Sequence, residues 1–208
     1  MCECCFQETQ STFFTNDNPL WQVLIGLLGA SIAIIALQIQ NNIQKKAERK
    51  RIAVEISSLF AEKSAVLINF YKNFLESYGS SMYYIATLHI FTSEFEKQAV
   101  ISQSEQATID WKANRAEQYK ATGEIIGILN KYKIYFGENE TIDSLLIKIS
   151  NSKSPEFPKL EPGRTLPQVN EIKRNYELSC KTVVDSIRID LDSIAKILKE
   201  NARQINKK

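Results

Sequence analysis

Between Asn18 and Gln44 the chain carries no charged side chain, and few folds tolerate so long an uncharged run. Its core, Leu20 to Ile39, is apolar apart from Gln22, Ser31 and Gln38. About 20 residues at 1.5 Å per residue cover the ~30 Å hydrocarbon layer of a bilayer. The sequence therefore predicts a transmembrane helix over residues 19–44, with Asn18 as its cap and Pro19 at its first position.

The flanks set an expected orientation. Residues 1–18 hold Glu3, Glu8 and Asp17 and no Lys or Arg, whereas Lys45, Lys46, Arg49, Lys50 and Arg51 fall within seven residues just after the run. Basic residues are retained on the cytoplasmic side. The expectation is a single-pass protein of the cell inner (plasma) membrane, with residues 1–18 as a short extracytoplasmic tail and residues 45–208 in the cytoplasm. Trp21 suits an anchor at the outer interface, and the five cations suit contact with anionic lipid at the inner one. A cleaved signal peptide would instead begin with a basic region and end its apolar stretch at a small-residue cleavage site.

All 26 basic residues lie at or after Lys45, while three of the 24 acids precede it, so residues 45–208 carry a net charge of +5. That favours a nearby anionic membrane and gives no reason to expect duplex nucleic acid as a partner. About 160 residues suffice for one core.

The remaining pattern is helical. Residues 20–154 contain no proline, and Ile52, Ile56, Leu59, Phe60, Val66, Leu67, Phe70 and Phe74 continue at helical spacing. Gly79-Ser80-Ser81 predicts a break, followed by an aromatic-rich segment around Tyr83, Tyr84, Phe91 and Phe95. Ser102 or Ser104 is the expected cap of a third helix ending near Gly137, and Thr141 that of a short helix over 142–150. Four prolines between Pro155 and Pro167 mark a proline-rich strap, 152–168. Val169, Ile172, Tyr176, Val183, Ile187, Leu191, Ile194 and Leu198 then follow one face of a last helix. The fold class is all-α, with the transmembrane helix continuing into a cytoplasmic antiparallel helical bundle.

Several groups are candidates for function. Gly26 with Ala30, and Gly29 with Ala33, form small-xxx-small pairs that let two membrane helices approach closely, predicting a homo-oligomer. Gln22, Ser31 and Gln38 can add hydrogen bonds between such helices. Cys2, Cys4 and Cys5 crowd the tail, where disulfides between subunits are a better expectation than a metal site lacking a preformed frame. Cys180 reads as a small buried hydrophobe. His89, the single histidine, reads as a core or interface residue. Neither a Walker loop, nor a dinucleotide fingerprint, nor a nucleophile elbow is present, so no enzyme, cofactor or metal is expected. Asn139-Glu140-Thr141 is a glycosylation sequon that a cytoplasmic location would leave unmodified.

Lys112, Arg115 and Tyr119 share one stripe of the third helix, where two cations and a ring could hold a small anionic ligand. Together these features predict a membrane-anchored, self-associating, non-enzymatic sensor or effector that couples a cytosolic signal to the membrane. A nucleotide messenger in antiviral defence is one such signal. The alternative is a membrane scaffold that recruits a protein partner through its bundle or its strap. A short tail, one span and a helical bundle recur in many unrelated bacterial proteins, so architecture alone says little about activity.

Overall fold

A computed structural model describes residues 19–159 and 163–205, with side chains from Gln22 onward. The tail with Cys2, Cys4, Cys5 and Asn18 lies outside the described residues, as do the Trp21 side chain and part of the strap, residues 160–162. Four helices make up the chain: α1 (Pro19–Thr87), α2 (Glu94–Phe136), α3 (Glu140–Ser150) and α4 (Leu166–Gln204). Among the described residues there is no strand. The chain divides into two compact units, Met1–Glu48 and Arg49–Lys208.

In the first unit α1 opens on Pro19, whose missing N–H costs nothing in a first turn. Every residue from Gln22 to Glu48 is exposed, and the helix is long and apolar enough there to cross a membrane. A Cβ added at Gly26 or Gly29 would meet nothing within 4 Å. Ser31 Oγ donates to the Leu27 carbonyl at 2.8 Å, so its proton is spent within its own helix rather than held for a neighbouring one.

The second unit owns the hydrophobic core. From α1 come Ile52, Ile56, Phe60, Leu67 and Leu75, from α2 Ile125 and Leu129, from α3 Ile142, and from α4 Ile187, Leu191, Ile194 and Leu198. Phe157 carries the strap into the same core and lies 5.3 Å from Tyr176, ring to ring. Across helices, Glu55 pairs with Lys131 at 2.7 Å and Lys63 with Glu124 at 2.9 Å. Asn201 donates to the Tyr132 hydroxyl, joining α4 to α2. The short α3 is pinned at both sides, by Lys133–Asp143 at 2.6 Å and Lys148–Asp190 at 2.8 Å.

Four sequence expectations about boundaries are corrected. No break occurs at Gly79-Ser80-Ser81, because α1 runs on to Thr87. These residues are small to admit neighbours: Gly79 faces the Tyr176 ring, and buried Ser81 meets Thr108 of α2 at 2.7 Å. The next helix starts at Glu94 after Ser93, not at Ser102 or Ser104, with Glu94 and Glu96 placing negative charge on its positive end. Asn139, not Thr141, caps α3, its side chain accepting from Ile142 N at 3.1 Å. The strap ends three residues early, since Thr165 caps α4 and its N–H donates to Gln168 Oε1 at 2.9 Å.

Candidate functional site

Along one face of the second unit, α1 and α4 leave an open cavity of about 620 Å³. Its depth follows from a glycine. Gly79 has no side chain, so the Tyr176 ring lies against the α1 backbone, where a Cβ would sit 2.4 Å from Cε1. Tyr176 donates its hydroxyl proton to the Leu75 carbonyl at 3.1 Å, and the ring is held further by Tyr78 at 6.3 Å. Leu75, Cys180 and Val184 complete an apolar floor.

The rim is charged and mostly neutralised in place. Lys72 pairs with Glu76 at 3.6 Å, Lys173 with Glu177 at 3.9 Å, and Arg188 with Asp185 at 3.0 Å. Lys181 completes the rim without an ion pair among the described residues. Burial, more than any partner, pushes the Cys180 thiol and the Tyr176 phenol above their ordinary values. Both stay protonated near neutrality, so the thiol is not poised as a nucleophile.

The stripe expected on the third helix lies on α2. Arg115 and Tyr119 are brought together, with Arg115 Nε donating to Tyr119 Oη at 3.1 Å. The guanidinium carbon also lies 5.5 Å from the Tyr119 ring, 5.8 Å from Phe74 and 6.0 Å from Trp111. Three rings thus flank the guanidinium, and Arg115 itself remains exposed. Lys112 is exposed and makes no hydrogen bond or ion pair among the described residues. Tyr119 is 58% exposed, with Arg115 itself near its ring.

The other candidates fall as follows. Lys45, Lys46, Arg49, Lys50 and Arg51 are all exposed on α1. Ala30 and Ala33 are exposed beside Gly26 and Gly29. Cys180 is buried, 6% exposed. His89, expected in the core or at an interface, is exposed in the turn after α1 and lines a hollow with Met82 and Pro158, so its place in the core is corrected. Among the described residues no three His, Cys, Asp or Glu side chains are grouped to hold a metal. Comparison with protein-family models, with curated proteins and with solved structures finds no match for this chain.

The α1/α4 cavity has no distinctive signature in the sequence. Its signals are Gly79, which reads as a break, and charges three or four residues apart (Lys72/Glu76, Lys173/Glu177, Asp185/Arg188), indistinguishable in sequence from any solvated helix face.

Proposed function

We propose that this protein is a membrane-anchored, self-associating and non-enzymatic sensor or effector. The apolar part of α1 spans the bilayer, and the Arg49–Lys208 unit lies in the cytoplasm and receives a small anionic signal. The observation that carries this is an apolar helical stretch with no buried residue beside a unit that has its own core. Exposing so much apolar surface to water is unfavourable at about 25 cal/mol per Å², and lipid removes that cost. The acidic tail and the cluster Lys45–Arg51 support an outside N-terminus. Open backbone at Gly26 and Gly29 supports close pairing of two such helices.

Within the second unit, contacts between α1 and α2 descend along one helix as they ascend along the other: Ser81–Thr108, Phe74–Trp111, Lys63–Glu124, Glu55–Lys131. This order supports an antiparallel bundle. Exposed cations at Lys112 and Arg115, the second flanked by rings, support an anion site at Lys112, Arg115 and Tyr119.

The test uses the full chain reconstituted in vesicles and titrated with nucleotides, cyclic oligonucleotides included. A ligand that changes the cross-linking ladder of the wild type, and whose affinity falls tenfold or more in Arg115→Gln, is the expected result. A wild type that neither binds nor changes its ladder across that panel would contradict the sensor reading.

A second reading, a scaffold for a protein partner, is favoured by the α1/α4 cavity, whose apolar floor and paired rim suit an amphipathic helix. A stoichiometric partner lost in Cys180→Arg, with Arg115→Gln unaffected, would select it.

A further inference from the structure

The α1/α4 face holds a second groove of about 660 Å³, built entirely from Arg49–Lys208. Its floor is mostly apolar, with Val54 and Ala61 from α1 and Ala195 and Ala202 from α4, interrupted by Ser57 and Ser58. Val54 is left 54% exposed. Four cations line it, Lys50 from α1 and Lys196, Lys199 and Arg203 from α4, against one acid, Asp192.

The contrast with the Tyr176 cavity decides what this groove takes. There, three rim cations are neutralised by acids of their own helix. Here, none of the four cations forms an ion pair among the described residues. Arg203 lies in the last turn of α4, where it offsets the negative helix end. That effect fades within one turn and gives no account of Lys196. An unneutralised basic rim above an apolar floor matches a ligand with a negative head and an apolar body.

We propose that this groove holds the headgroup of an anionic phospholipid, with the glycerol and upper acyl carbons on the Val54–Ala202 floor. The proposal rests on the bilayer reading of α1 given above. Lys50 follows Gln44, the last residue of the uncharged run, by six residues. That is about 9 Å of helix, and no more than about 22 Å of chain in any conformation. A bilayer surface is therefore within reach of Lys50 at the groove's rim, whereas an acidic peptide would have to be recruited to it. The lipid contact expected for the cluster Lys45–Arg51 thus extends to cations more than 140 residues later in the chain.

The experiment is native mass spectrometry of the full chain in mild detergent, titrated with phosphatidylglycerol or phosphatidylcholine. The wild type is expected to retain phosphatidylglycerol preferentially. The triple variant K196Q/K199Q/R203Q should lose about tenfold or more of that retention, with unchanged helical circular dichroism. Val54→Asp, which puts a negative charge on the floor, should lose it as well. Equal retention by wild type and triple variant, or a wild type blind to headgroup charge, would overturn the proposal. So would displacement of the lipid by millimolar inorganic phosphate, or by a polyglutamate peptide at lower concentration than the lipid. Carbonate extraction separates this failure from that of the membrane reading. A wild type stripped from vesicles at high pH defeats both, whereas one that stays in the membrane with unchanged lipid preference in the variant defeats only the groove.

Discussion

Gly79 carries more of the architecture than its size suggests. The Tyr176 ring beside it is held by a hydrogen bond to Leu75 O and by packing on Phe157, so it cannot swing aside to admit a Cβ 2.4 Å away. Gly79→Ala is expected to destabilise the second unit by about 1–3 kcal/mol, although helix propensity alone would favour Ala by ~1 kcal/mol. The sign of the change in melting temperature distinguishes the two. Asp190, 4% exposed, has one oxygen on Lys148 and the other without a hydrogen-bond partner among the described residues. Lys148→Met should cost about 2 kcal/mol by leaving that carboxylate unpaired, and adding Asp190→Asn should recover most of it. Additive losses in a denaturation double-mutant cycle would show the pair to be uncoupled. Cys180 and Tyr176 also set a pH dependence. Both are raised above their ordinary values of 9.0 and 10.0, chiefly by burial. The folded state therefore holds these protons more tightly than the unfolded one. Their contribution is complete below pH 9.0 and lost as pH rises through the folded values. The melting temperature should fall on alkaline titration, and less steeply in Cys180→Ala.

At the level of elements, the apolar spacing from Ile52 to Phe74 and from Val169 to Leu198 made α1 and α4 legible, because 3.6-residue periodicity reports directly on a buried face. Helix ends were less legible. Gly79 looked like punctuation because a glycine needed for close packing and one that stops a helix are the same letter. Ser93-Glu94-Phe95-Glu96 holds the start of α2, but Phe95 also belongs to the aromatic run from Tyr83, which reads as a segment of its own and shifts the expected cap to Ser102 or Ser104. Thr141 reads as the cap of α3, yet it is the Asn139 side chain that reaches Ile142 N. Asn139→Ala should cost about 1 kcal/mol, read as a lower melting temperature. The site was legible only in part. Arg115 and Tyr119 sit four apart on one helix and do meet, whereas Phe74 beneath Arg115 comes from α1, and the α1/α4 cavity depends on pairings between residues about 100 positions apart.

For the whole molecule, uncharged sequence from Asn18 to Gln44 and a helix exposed from Gln22 onward support the central proposal, that this apolar part of α1 resides in a bilayer. Vesicles carrying the full chain, washed in alkaline carbonate and floated on a density gradient, test it directly. The account predicts that the protein floats with the lipid and is released only by detergent. Recovery of intact, folded protein in the aqueous fraction without detergent would contradict it.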